Sequence, residues 1–142
     1  MVKQLSVFVE NKHGRIMEIL SALAEHSVDI KALSVADSTD FGIMRMIVSD
    51  DELAKKVLTE EGVIVRVNKV IAVAVNDEPG ALMKTFAILC ESGISVEYMY
   101  AFAEKLGDSS VIVIRTDDRE KATAELKNGG VTVLEHDDIK GL

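Results

Sequence analysis

Cysteine, proline and aromatic residues are scarce in this sequence. Its 142 residues include one cysteine, one proline, no tryptophan and 4% aromatic residues. A single cysteine, Cys90, excludes an intramolecular disulfide and any metal site that needs two thiols. Because Cys90 falls within an apolar helical pattern, we expect it to be a small buried hydrophobic residue. The core must be mainly aliphatic, and 48% of the residues are hydrophobic.

Basic residues are outnumbered and scattered along the chain. The net charge is −8, from 24 acidic and 16 basic side chains. Nucleic-acid binding depends mainly on lysine and arginine neutralising phosphates, so this composition argues against it. No apolar run reaches the ~18 to 20 residues of a membrane span, and residues 1–4 lead directly into a predicted strand without a signal-peptide pattern. We expect a cytoplasmic protein that binds neither nucleic acid nor membranes.

What the sequence does contain is a duplication. Gly14 and Gly80 each open an apolar helical pattern, and they are 66 positions apart (80 − 14). Each follows an alternating, strand-like run, at 5–9 in the first half and at 71–75 in the second. A repeat of this length is one small domain, so the chain is predicted to be two related domains in tandem.

Both halves have the predicted order strand, helix, strand, strand, helix, strand. This βαββαβ order is typical of the α+β ferredoxin-like fold, in which two helices cover one face of a four-stranded antiparallel sheet. We predict one such domain over 1–67 and another over 68–142. Their second strands, 28–37 and 94–103, are predicted sheet edges that are too apolar to remain in water. We therefore expect these strands to pair side by side, giving one eight-stranded antiparallel sheet.

The loop before the first helix of each half is the candidate ligand site. Helix N-termini have unpaired N–H groups and a partial positive charge, which suit a carboxylate, and glycine allows a ligand close to the backbone. Asn11 and Asp77 are predicted helix caps and acceptors for a ligand's ammonium group. Pro79 fits the first helical position, where its missing N–H costs little. On these residues alone, ordinary capping competes with ligand binding as the interpretation.

The whole pattern resembles the ACT domain, a regulatory module that binds amino acids or other small ligands in many proteins of amino-acid metabolism. Residues 76–82 read Asn-Asp-Glu-Pro-Gly-Ala-Leu, close to the family's Asp-x-Pro-Gly-x-Leu signature. Residues 11–16 are a degenerate copy in which His13 replaces the proline. The resemblance covers nearly the full chain as two copies, and it is greatest to the small stand-alone tandem-ACT proteins.

The resemblance implies a ligand at the interface of the two domains, between the first loop of one domain and the second strand of the other. One implied site consists of Asn11, His13 and Gly14 with Met99, Tyr100 and Ala101; the other consists of Asp77, Pro79 and Gly80 with Leu33, Ser34 and Val35. We favour the first as the occupied site because Tyr98 and Tyr100 can form a pocket wall. The resemblance also implies a homodimer, and an amino-acid biosynthetic enzyme as a candidate partner.

No catalytic or metal-binding pattern is visible in the sequence. His13, His26 and His136 are far apart and lack the spacing of a metal site. No Ser/His/Asp or Cys/His arrangement is present either. We therefore expect no metal, no cofactor and no enzyme activity. Two alternatives remain open: an acylphosphatase-like hydrolase that binds an anion through Arg15 and Asn11, and a structural or regulatory subunit of a biosynthetic enzyme without its own ligand.

Overall fold

The computed structural model describes residues 1–10, 12–37 and 40–142. The elements in chain order are β1 Val2–Glu10, α1 Arg15–Glu25, β2 Ile30–Asp37, β3 Phe41–Val48, α2 Asp51–Glu60, β4 Ile64–Asn76, α3 Ala81–Glu91, β5 Val96–Ala101, β6 Ser109–Thr116, α4 Arg119–Asn128, β7 Thr132–Leu134 and α5 His136–Ile139. They form two compact units. One is Lys3–Asn68, and the other combines Met1–Val2 with Lys69–Leu142.

In the unit Lys3–Asn68, α1 and α2 cover one face of an antiparallel sheet. The strand order is β2-β3-β1-β4, with β3 paired to both β1 and β2. Alternation along β1 places Val7 in the core opposite Met44 of β3, and both are fully buried. Leu23 and Leu58 bring the apolar sides of the two helices into the same aliphatic core.

The second unit repeats this arrangement. In it β4 pairs with β6 on one side and with β7 on the other, and β5 pairs with β6. Ile71 and Val73 of β4 pack with Leu89 of α3 and Leu126 of α4 in a second aliphatic core. The predicted α+β, βαββαβ-type fold is confirmed.

The number of strands differs from the prediction. The described residues form seven strands instead of eight, because β4 takes the place of both the last strand expected in the first half and the first strand expected in the second half. No glycine or proline interrupts β4, so the chain passes from one unit to the other as a single strand. In the described residues β2 pairs with β3 and β5 pairs with β6, each within its own unit. The side-by-side pairing of 28–37 with 94–103 stays a prediction.

Cys90 is exposed, so its predicted burial is wrong. It occupies the next-to-last position of α3, directly after Leu89, which is buried. Neighbouring helical residues point about 100° apart, which puts Leu89 in the core and Cys90 in solvent. Near the end of the chain, His136–Ile139 forms the short helix α5, and its Ile139 is buried.

Candidate functional site: the glycine loops before α1 and α3

The loop between β1 and α1 turns at Gly14. Its φ of +80° lies in the left-handed region, which suits glycine because it has no Cβ. The turn is tight: Lys12 N donates to Glu10 O at 2.7 Å, and Arg15 N donates to Lys12 O at 3.1 Å. His13 is exposed at this turn. Asn11, the predicted cap and ligand acceptor, lies outside the described residues.

The loop between β4 and α3 has the same backbone geometry. Gly80 has a φ of +85°, and the hydrogen bonds recur at the equivalent positions, from Glu78 N to Asn76 O at 2.9 Å and from Ala81 N to Glu78 O at 3.3 Å. Pro79 lies in the turn, two residues before the first helical residue. Its predicted place at the first helical position is therefore wrong, because Gly80 comes between it and the helix.

The helices that follow the glycine loops start differently from the other two long helices. Asp50 caps α2 by accepting from Leu53 N at 3.0 Å, and Asp118 caps α4 by accepting from Lys121 N at 3.1 Å. At α1 and α3 the N-cap residue is a glycine, and no described side chain caps the helix. Arg15 N and Ala81 N donate within the turns, so the first-turn N–H groups that follow them are the ones that can meet an anionic group such as a carboxylate.

Asp77 pairs with a lysine instead of capping α3. Its carboxylate accepts a hydrogen bond from Lys105 Nζ, which belongs to the loop between β5 and β6. That hydrogen bond and the negative charge of Asp77 raise the pKa of Lys105. The predicted capping role of Asp77 is wrong. Its ability to bind an ammonium group is evident, since the lysine supplies one.

A cavity of about 190 Å³ adjoins the first glycine loop. Its walls come from both ends of the loop, from the end of β2 and from the start of β3, namely Val9, Glu10, Lys12, Ile16, Val35, Asp37 and Gly42. Apolar side chains and charges of both signs therefore surround the same space, a composition that suits a small zwitterion. Of the predicted second-strand residues in this unit, Val35 lines the cavity. The other lining residues were not predicted, although they directly flank the predicted loop and strand.

The predicted second-strand residues do not all share one face of the sheet. Met99 and Ala101 are exposed, whereas Tyr100 between them is buried, because successive strand residues point to opposite faces. Tyr98 and Tyr100 share a face, and their stacked rings have centroids 6.4 Å apart. In β2, Leu33 and Val35 flank half-buried Ser34 in the same way. Side chains from all three positions of a strand cannot meet one ligand on one face.

Comparison with known proteins identifies the family. A family model described as an ACT domain pair matches residues 1–141. The chain belongs to the ACT domain pair family. The predicted resemblance is thereby confirmed. A search of curated proteins found no match to this ACT domain pair.

Several solved protein structures are similar to this ACT domain pair. Protein BT0572 from Bacteroides thetaiotaomicron is 38% identical, covers 99% of this chain and 96% of its own, and has a TM-score of 0.90. The regulatory subunit of aspartate kinase from Thermus thermophilus is 18% identical, with 90% and 89% coverage and a TM-score of 0.64. The corresponding subunit from Thermus flavus is 16% identical, with 90% and 92% coverage and a TM-score of 0.59. At these lower identities the likeness concerns the fold.

Among residues 1–10, 12–37 and 40–142, no group of three or more histidine, cysteine, aspartate or glutamate side chains could hold a metal ion. Across the same described ranges, no helix is both long enough and apolar enough to span a bilayer.

Proposed function

We propose that this ACT domain pair is a regulatory protein of amino-acid metabolism that binds a free amino acid. The observation that carries the proposal is the start of α1 and α3, each at a left-handed glycine and without a described side-chain cap. A ligand carboxylate can accept hydrogen bonds from these N–H groups, while its ammonium group pairs with an acidic loop residue. The fold shared with regulatory subunits of aspartate kinase supports a regulatory role.

We place the ligand at the interface of the two domains, where the glycine loop of one domain acts together with the second strand of the other. Two features of the separate units support this choice. Each glycine loop leads into a helix without a described side-chain cap, and each second strand has exposed apolar side chains, with Leu33 41%, Val35 48% and Met99 40% exposed. Apolar side chains can contact the ligand's carbon atoms while the loop binds its charged groups.

The role we propose is not enzymatic. The acylphosphatase-like alternative needs Arg15 as an anion-binding cation, but its guanidinium donates to the Glu18 carboxylate at 2.7 Å. A carboxylate at that distance opposes the binding of a second anion. The hydrolase alternative predicts that the wild-type protein hydrolyses an acyl phosphate and that Arg15→Ala abolishes this activity. Our proposal predicts no hydrolysis by the wild type or by Arg15→Ala.

We propose a cytoplasmic homodimer whose partner is an amino-acid biosynthetic enzyme. Supporting the dimer, β2 is an edge strand with exposed Leu33 and Val35, and the first turn of α1 exposes Ile16 and Met17. Edge strands with apolar flanks favour pairing with another chain. Regulation follows if the amino acid binds one arrangement of the protein more tightly and shifts the population toward it.

Thermal unfolding with each common amino acid tests the central proposal. A ligand at ~100 times its Kd adds ~2.7 kcal/mol to the free energy of unfolding, which raises Tm by several degrees. Gly14→Val should remove this shift, because valine at positive φ distorts the loop. Gly62→Val is the matched control, since Gly62 has a φ of +78° with equally open surroundings. If no amino acid changes Tm, the ligand-free subunit alternative replaces the proposal.

A further inference from the structure

A cavity of about 330 Å³ lies where β6 ends and α4 begins. Residues 115–120 line it, and all of them belong to the unit that contains α3. Arg115 and Thr116 are the last two residues of β6, Asp118 is the N-cap of α4, and Arg119 is its first helical residue. The described lining shares no residue with the proposed amino-acid site, so this space has no role in that proposal.

Thr116 places a buried hydroxyl in the lining of this cavity. The residue is 4% exposed, and its Oγ1 is buried without a hydrogen-bond partner among the described residues. Thr116 follows Ile112 and Ile114 at alternate positions of β6, so its side chain is on the same, helix-covered face of the sheet as theirs. Burying a hydroxyl without a hydrogen bond is unfavourable, which favours a partner from outside the described chain.

Arg119 brings a second buried donor to the same cavity. Its guanidinium donates to Lys69 O at 3.0 Å, whereas its Nε is buried and has no partner in the part of the chain that the structure describes. β4 and β6 pair antiparallel through Ile71 and Ile114. Two positions further along, Lys69 is opposite Thr116, so Arg119 lies beside this threonine. A guanidinium N–H and a hydroxyl are both donors, and together they suit an oxyanion.

The first unit shows that the fold does not require these two groups. The registers of β3 and β6 and the aspartate caps of α2 and α4 place Val48 where the second unit has Thr116, and Asp51 where it has Arg119. Val48 is part of the first aliphatic core, and Asp51 Oδ2 is 3.7 Å from Lys3 Nζ. The same strand end and helix start therefore form there without the hydroxyl and without the guanidinium.

Carboxylates also line the cavity. Asp117, Asp118 and Glu120 are all exposed. Asp117 accepts a hydrogen bond from Ser95 N at 3.1 Å, and Asp118 accepts the capping bond of α4. These negative charges oppose a bare anion, although water and salt screen them because they are exposed. Because carboxylates accept hydrogen bonds from hydroxyl groups, the lining favours a ligand that combines an oxyanion with hydroxyl groups.

We propose that this cavity binds a small phosphate monoester of a polyol. The phosphate oxygens accept hydrogen bonds from Arg119 Nε and from the Thr116 hydroxyl, and the ligand's hydroxyl groups donate to the carboxylates of the lining. A volume of about 330 Å³ is typical of small-molecule pockets, and such a ligand gives both buried donors an acceptor. The inference goes beyond the proposed function, because it concerns another chemical class of ligand and another site.

Amide NMR of the ¹⁵N-labelled full chain, titrated with glycerol 3-phosphate, tests this site. We expect saturable shifts of the Thr116, Asp118 and Arg119 amides, and no shift of them with glycerol alone. Thr116→Val should weaken the binding about tenfold, because it removes a donor to a charged group. This variant should fold, since Val48 has the same place in the first unit. Thr132→Val, which removes an exposed threonine hydroxyl from the same unit, is the matched control and should leave the Kd unchanged.

Arg119→Gln is the second variant, and it should weaken the binding by about tenfold or more because the cation is lost. Inorganic phosphate is the second probe, and binding as tight as that of glycerol 3-phosphate overturns the hydroxyl contacts while supporting the phosphate contacts. Unshifted amides with both probes, or the same Kd in wild type and both variants, overturn the inference. Both variants should retain the rise in Tm that an amino acid causes, so failure of this site leaves the proposed function standing.

Discussion

Lys105 and Asp77 form an ion pair that links the loop after β5 to the glycine loop before α3. The lysine ammonium is bound to the carboxylate that we propose as the acceptor for a ligand's ammonium group. A ligand must therefore displace Lys105 before it can bind Asp77. Both side chains are more than half exposed, at 55% and 57%, so water can replace this contact readily and displacement by a ligand is feasible.

Removing the competing lysine should strengthen ligand binding at the second glycine loop. We expect Lys105→Met to lower the Kd for the amino acid several-fold, measured by isothermal titration calorimetry, because Asp77 no longer has to release a bound ammonium group. Lys140→Met is the matched control, since it removes the exposed ion pair between Lys140 and Asp137, far from the loop in sequence. Equal affinity in wild type and Lys105→Met would show that Asp77 does not contact the ligand.

The same ion pair predicts a change in the titration of Lys105. Asp77→Asn removes the charge and the charged acceptor that raise the pKa of Lys105, so this pKa should fall toward its ordinary value of about 10.4. Because the pKa of Lys105 is higher in the folded state than in the unfolded state, the ion pair stabilises the protein fully at a pH below the unfolded-state pKa. This stabilisation is lost as the pH rises through the folded-state pKa. NMR titration of the lysine side chain measures the change. An identical Lys105 pKa in Asp77→Asn would contradict the contact.

The two aspartate caps should contribute equally to stability. Asp50→Ala and Asp118→Ala should each lower the free energy of unfolding by ~1 kcal/mol, because each leaves a first-turn N–H group of α2 or α4 without its acceptor. Urea denaturation measures the loss. Asp50→Asn and Asp118→Asn are the controls, and they should retain most of the stability because asparagine caps equally well. Asparagine variants as unstable as the alanine variants would argue against capping.

Gly129 packs closely against Ile88. A Cβ at position 129 would lie 2.5 Å from Ile88 Cδ1 and 3.2 Å from its Cγ1. Gly129→Ala should therefore reduce the free energy of unfolding by ~1 to 2 kcal/mol, as overpacking does. Adding Ile88→Val removes Cδ1 and should recover part of this loss, so the two substitutions should not be additive in urea denaturation. Gly141→Ala is the control and should have little effect, because a Cβ at position 141 would lie in open space. Strictly additive effects of Gly129→Ala and Ile88→Val would contradict the contact.

Local patterns were enough to predict most elements of this protein. The alternation of β1 and the helical spacing of α1 and α3 depend on the backbone periods of 2 and 3.6 residues, which act within a few positions. Helix capping is also local, since Asp50 and Asp118 each accept from an N–H group three positions ahead. The repeat then extended each of these local signals to the other half, including the left-handed turns at Gly14 and Gly80.

The site was harder to predict, because its side chains come from distant parts of the chain. Lys105 contacts Asp77 across 28 residues, and Arg15 contacts Glu61 across 46. The sequence gives no spacing rule for such pairs, since they meet through the packing of different elements. The prediction of Asp77 as a helix cap has the same cause. Its neighbours in sequence suit a helix start, but its actual partner, Lys105, comes from another loop.

The sequence by itself determined that this protein is a duplicated α+β unit of the ACT type with a glycine turn before the first helix of each half. These features follow from interactions between near neighbours in the chain. Tertiary structure alone decided that one continuous β4 serves both units, that Cys90 faces solvent, and that Arg15 contacts the carbonyl oxygen of Glu61. Each of these depends on which distant segments pack together, because burial and long-range contacts belong to the folded chain and not to any short stretch of it.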